Sequence, residues 1–156
     1  MPKRQTNSAQ ETLTAPREHH VGAVRILLAD DQEEVLLVIT NLLEAEFDVV
    51  GTAENGQRAV ELVPVLFPDV VVLDVCMPLL NGIEAATQLR KSGSSSKVVF
   101  LTVNEDPDFV DAALSTGAFG YVLKCFAGED LIPAIHQAVE GKRFVSPSIS
   151  TSTLPS

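Results

Sequence analysis

Four apolar, β-branched runs punctuate this chain, and each ends in a polar side chain. They cover residues 24–29, 70–73, 98–101 and 119–123, and are followed by Asp30-Asp31, Asp74, Thr102 and Lys124. Such near-continuous apolar runs mark parallel strands, which helices cover on both faces. The segments between them repeat their apolar residues at helical spacing. From Val24 onward, strand and helix patterns alternate five times. That alternation restricts the chain to a parallel sheet between two helical layers. Polar residues at the carboxyl ends of such strands then converge on one crevice, where open α/β sheets bind ligands.

Right-handed crossovers leave few topologies. The expected one is a single α/β domain of flavodoxin-like (βα)5 form, with five parallel strands ordered 2-1-3-4-5. The first helix should span about 32–46, with Val35, Leu36, Val38, Ile39, Leu42 and Leu43 as its apolar face. Asp31 and Glu34 have the spacing of a capping box there. A second strand is expected over 47–53, and Asn55-Gly56 should open a second helix that ends near 64–68. Asn81-Gly82 precedes a third helix and Asp106-Pro107 a fourth. The last helix should run from about 129 to 141, with Pro133 removing one backbone donor.

Residues 1–22 are polar and aperiodic, which predicts a disordered extension in which His19-His20 is incidental. The folded domain is expected over 23–144. The Ser-, Thr- and Pro-rich stretch 145–156 reads as a linker or a cut end.

A net charge of −10 argues against a basic nucleic-acid surface on this chain. Cys76 and Cys125 form no CxxC pair and no disulfide framework. Reduced thiols fit a cytoplasmic location. No apolar run approaches the roughly 18 residues of a membrane span.

Three carboxylates, a hydroxyl and an ammonium in one crevice suit a divalent cation and a phosphoryl group. Asp74 ends the most apolar strand, and a carboxylate can attack phosphorus when nearby charges are offset. Asp30, Asp31 and Asp74 could hold Mg²⁺, which prefers oxygen ligands and retains waters. Without a cation these carboxylates should repel, so one should hold its proton more tightly. Thr102 and Lys124 could contact phosphoryl oxygens.

The order and spacing of Leu28-Ala-Asp-Asp31, Val71-Val-Leu-Asp-Val-Cys-Met-Pro78, Asn81-Gly82, Leu101-Thr102 and Gly117-Ala-Phe-Gly-Tyr-Val-Leu-Lys124 resemble a bacterial response-regulator receiver (CheY-like) domain over about residues 24–143. Lys124-Cys-Phe-Ala-Gly-Glu-Asp-Leu-Ile132, Ala134-Ile135 and Phe144-Val-Ser-Pro147 resemble the NarL/FixJ (LuxR-type) subfamily. The resemblance implies a phosphorylated signalling domain of a two-component system rather than a metabolic enzyme. It implies that a sensor histidine kinase donates a phosphoryl group to Asp74. It further implies that Asp31, Asp74 and the Cys76 backbone carbonyl bind Mg²⁺ directly, with Asp30 acting through water. Thr102 and Tyr121 would form the switch, the ring turning into space that the hydroxyl vacates. Phosphorylation would change a dimer or partner surface. DNA would be reached only through a helix-turn-helix output domain not in this chain. The competing reading is a stand-alone or pseudo-receiver interaction domain.

Three positions depart from the receiver pattern. Cys125 replaces the frequent proline after the lysine, so an ordinary trans bond is expected. Val103 occupies a position that is usually small and should crowd access to the phosphate. Cys76 and Asn104 should flank the path of attacking water, predicting slow-to-moderate hydrolysis of an acyl phosphate.

Overall fold

The computed structural model describes residues 22–149. Residues 1–21, with His19-His20, and residues 150–156 lie outside the described residues. The strands are β1 (Arg25–Ala29), β2 (Asp48–Ala53), β3 (Val70–Leu73), β4 (Lys97–Thr102), β5 (Gly120–Leu123) and β6 (Phe144–Val145). The helices are α1 (Glu33–Leu43), α2 (Gly56–Leu66), α3 (Gly82–Lys91), α4 (Pro107–Ser115) and α5 (Ala127–Val139). A short 3₁₀ turn, Lys124–Phe126, joins β5 to α5.

All pairings are parallel, in the order β2-β1-β3-β4-β5-β6. The expected order is therefore present, extended by one strand. β6 has two residues, too few for any periodic signal, and it exists because it pairs with Gly120 and Tyr121. Packed structure also continues beyond residue 144, where a linker was expected to begin: Ser146 and Ile149 are both buried.

Strand residues alternate between two cores, as their twofold period requires. Leu27, Val71, Leu73, Phe100 and Tyr121 pack with α2, α3 and α4. Ile26, Leu28, Val72, Leu101 and Val122 pack with α1 and α5. β3 is buried along its whole length, which explains its unbroken valine-leucine sequence. No helix among the described residues is long and apolar enough to cross a membrane.

Two local expectations need correction. Val38 does not join the apolar face of α1: it is 65% exposed, and Leu36, Ile39 and Leu43 face the sheet. The helix is covered along one narrow stripe only, so neighbouring apolar residues remain outside. Nor does Asp31 cap α1. The N-cap is Gln32, with no side-chain capping bond. The Asp30 carboxylate instead accepts the Gln32 N–H at 2.8 Å.

Candidate functional site at the carboxyl ends of the strands

β1 and β3 are adjacent, with Ala29 opposite Leu73. The residues that follow therefore leave the sheet together. The Asp74 N–H donates to the Ala29 carbonyl and the Asp30 N–H to the Ala53 carbonyl, both at 3.0 Å. These bonds carry the sheet ladder one residue beyond the strands and fix both aspartates. Asp30 and Asp74 are buried, whereas Asp31 is exposed. One carboxylate oxygen from each of the three lies within 4.8 Å of the others.

Lys124 follows β5 and reaches across to this cluster. Its Nζ is 2.7 Å from Asp30 Oδ2 and 3.0 Å from Asp74 Oδ2. It also donates to Gln32 Oε1 at 3.4 Å. An ammonium has three protons, and three acceptors surround this one. Burial pushes the Asp30 carboxyl above its ordinary value, outweighing the bonds from Lys124 and Gln32, and the charge on Asp74 adds to the rise. Repulsion was the expected cause, but desolvation is the larger one. Burial alone would lower the Lys124 ammonium, yet the hydrogen bonds to Asp30 and Asp74 hold it above its ordinary value.

Thr102, the last residue of β4, is buried and accepts the Asn104 N–H through Oγ1 at 3.3 Å. The hydroxyl proton remains available for donation. Tyr121 is 0% exposed, and its hydroxyl donates to the Asn104 carbonyl at 2.6 Å. Burial, followed by the charges of Cys76, Asp74 and Asp106, pushes its phenol well above the ordinary range. The ring thus lies inside the protein, with its polar end tied to the β4–α4 loop that also carries the Thr102 contact.

The Cys76 N–H donates to Asp74 Oδ1 at 3.3 Å, so the two Asp74 oxygens have different partners. The Cys76 side chain is exposed, and Val103 is 74% exposed. Asn104 Oδ1 accepts the Asp106 N–H at 2.9 Å, which commits that oxygen to the turn before α4. A cavity of ≈ 400 Å³ opens beside the cluster, lined by Asp31, Cys76, Met77, Asn81 and Phe109 among others. A larger one, ≈ 770 Å³, lies at the opposite end of the sheet against Val24, Phe67 and Lys97. It contains none of the converging charges, so the chemistry places the site at the smaller cavity.

The β3–α3 loop is held against the site by close backbone approach. A Cβ on Gly82 would lie 1.9 Å from the Asp74 carbonyl oxygen, and one on Gly56 2.0 Å from that of Leu80. Only glycine fits at these two points. Asn81 and Glu84 form a capping box on α3, at 2.8 and 3.0 Å. The sequence placed helix starts at Asn55-Gly56 and Asn81-Gly82, and Asn55 does cap α2, but the pairing of Asn81 with Glu84 was not anticipated. Gln32 was not identified as a partner of Lys124. Its only sequence signal is its place directly after the acidic pair.

The donor set fits Mg²⁺: three carboxylates from two adjacent strand ends, two of them buried, are all oxygen ligands. Asp30, Asp31 and Asp74 would hold the ion.

A family model described as the response regulator receiver domain matches residues 26–136. The uncharacterized transcriptional regulatory protein YvfU of Bacillus subtilis is 39% identical over 129 residues, covering 81% of this chain and 64% of YvfU. The nitrate/nitrite response regulator NarL of Escherichia coli K12 is 38% identical over 127 residues, covering 80% of this chain and 59% of NarL. The chain thus spans about three fifths of the length of these relatives. Among solved structures, a LuxR-family two-component response regulator from Aurantimonas superposes with a TM-score of 0.78 at 32% identity, covering 81% of this chain and 92% of that one. The isolated REC domain of RcsB from Salmonella enterica, solved in the presence of the phosphomimetic BeF3−, gives 0.77 at 29% identity, covering 85% and 99%.

Proposed function

The chain belongs to the response regulator receiver family, of the NarL/LuxR type, and from that premise we propose that it is a phosphoacceptor switch with Asp74 as the acceptor. The observation that carries this reading is the convergence of Asp30, Asp31, Asp74 and Lys124 at adjoining strand ends. Asp74 is the one carboxylate shared between the acidic cluster and the ammonium that also ends the most buried strand.

In the proposed reaction a sensor histidine kinase presents a phosphohistidine. One Asp74 oxygen attacks phosphorus, the P–N bond breaks, and the imidazole leaves with the bonding pair. Positioning and charge stabilisation are the main tasks left to the protein. Asp30 and Asp31, with Asp74 and the Cys76 carbonyl, would hold Mg²⁺, which when bound offsets the charge of the phosphoryl oxygens. Lys124 turns from the carboxylates to a phosphoryl oxygen, and Thr102 donates its hydroxyl proton to another. The Tyr121–Asn104 bond lies on the same loop as the Thr102 contact, so movement of Thr102 is felt at the buried ring. A two-state packing element biased by a local charge is a workable switch. Its output is a changed partner or dimer surface. Where such a receiver is joined to a DNA-binding domain, this surface would control it, in keeping with the transcriptional regulators among the relatives. The reading places the domain in the cytoplasm, with the kinase's phosphohistidine.

The test is intact mass after incubation with acetyl phosphate and Mg²⁺, beside Asp74→Ala. A single phosphoryl adduct on the wild type alone is the expected result. A folded protein that takes no adduct, and binds neither Mg²⁺ nor beryllofluoride, would rule the switch out and leave an interaction domain.

A further inference from the structure

Ser146 lies in a stretch whose composition reads as linker, yet it is one of the few buried polar residues. Its Oγ donates to Asp130 Oδ2 at 2.8 Å and accepts the Leu123 N–H at 3.1 Å. Its own N–H donates to the Tyr121 carbonyl at 2.9 Å. β6 ends one residue earlier, so the hydroxyl takes over from a backbone carbonyl as the acceptor for Leu123. A buried N–H needs such a partner.

The two partners of this hydroxyl bracket Lys124. Leu123 is the residue before it, and Asp130 lies in the first turn of α5. Between them run the 3₁₀ turn and the start of the helix. Cys125 gives that turn no ring to fix its φ. Something else must set the backbone from which the lysine side chain reaches Asp30 and Asp74.

We propose that Ser146 is a positioning residue for Lys124, clamping the β5–α5 turn at both ends and thereby linking the chain beyond β6 to the phosphoryl site. This rests on the phosphoacceptor reading. Ile149, three residues on, is buried in the core on the opposite face of the sheet from α5 and donates its N–H to the Ser146 carbonyl at 3.0 Å. The segment is therefore docked on both sides of the clamp. Coupling between sites is reciprocal. Pulling the segment away weakens phosphoryl binding, and phosphoryl binding tightens the segment.

The experiment uses the full chain and beryllofluoride with Mg²⁺ as the probe. It measures binding by titration and the exchange rate of the Leu123 amide. Ser146→Ala should weaken beryllofluoride binding roughly three- to tenfold, the effect of about one hydrogen bond, and speed Leu123 exchange. Ser146→Thr, which keeps the hydroxyl, should restore both. Mg²⁺ alone uses the carboxylates with which Lys124 pairs, so its binding should not weaken when the lysine is less well placed, which separates positioning from general loosening. Asp130→Ala, on a partly exposed residue, decides the matter should Ser146→Ala fail to fold. Unchanged beryllofluoride affinity despite faster Leu123 exchange would overturn the proposal, as would equal losses of beryllofluoride and Mg²⁺ binding. Wild-type protein that binds Mg²⁺ but never beryllofluoride sinks the phosphoacceptor reading itself, and the clamp's role with it.

Discussion

Charging Asp30 in the folded protein works against burial, and neither the Lys124 ion pair nor the Gln32 N–H fully offsets that cost. The folded protein therefore holds this proton to higher pH than the unfolded chain does. The resulting stabilisation is complete below the ordinary value of 3.8 and is lost as pH rises through the raised folded value. Lys124 follows the same sign: its contribution is present below 10.5 and is lost as pH rises through its own raised value. Above that raised value Asp30 is a charge kept at the expense of stability. Asp30→Asn removes the charge and keeps one acceptor oxygen, enough for the Gln32 N–H but not also for Lys124, which pairs with the other carboxylate oxygen. The stability of wild type relative to this variant should fall as pH rises through the raised Asp30 value and recover as pH drops towards 3.8. Denaturant melts across that range check both the sign and the window. The identity of the three aspartates was visible in the sequence. The dominance of burial over repulsion at Asp30 was not, because it depends on how completely the neighbouring elements cover it.

At the scale of elements, the site depends on where helices begin. α3 starts at Gly82 because Asn81 and Glu84 satisfy each other's backbone donors. Its first turn lies so close to the end of β3 that no side chain fits at Gly82. Asn81→Ala should cost about 1 kcal/mol. Gly82→Ala must move backbone and should cost more than about 2 kcal/mol. In addition it should reduce phosphorylation of Asp74, which the cap variant should leave nearly intact. Thermal melts and adduct mass on the two variants test the contrast. The same scale explains the misreading of α1. Asp31 and Glu34 have capping spacing, but the helix starts later and Asp31 turns into the crevice. Leu37 and Val38 look like core residues by hydropathy, yet both are exposed. An apolar stripe indicates which residues could face a core, and the packing partner determines how wide the covered part is.

Taken whole, the molecule separates a stable body from a charged rim. Two apolar layers sandwich the sheet, and the acidic cluster sits where β1 and β3 end side by side. On the proposed reading Mg²⁺ would recognise only the assembled cluster, so it should raise the melting temperature, by an amount corresponding to about 2.7 kcal/mol at a concentration one hundred times Kd. The rise should be largely lost in Asp31→Asn, whose carboxylate is the exposed member of the cluster, and scanning calorimetry with and without Mg²⁺ measures it. Much of this organisation was legible beforehand. Buried parallel strands require unbroken apolar runs, so strand positions, their order and the residues at their carboxyl ends could all be read from local pattern. Those are short-range properties, set by the period of the backbone and the solvation of its side chains. What the pattern could not contain was anything created by contact between distant segments. The two-residue β6 exists only against β5, and the buried Ser146 has meaning only beside Leu123 and Asp130. Gln32 becomes a partner of Lys124 across ninety-two positions of sequence. The sequence by itself determined the sheet and the chemistry at its rim. Tertiary structure decided the protonation balance within that chemistry, the backbone that aims the lysine and the anchoring of the chain beyond the sheet, because desolvation and long-range hydrogen bonds arise only after the segments have met.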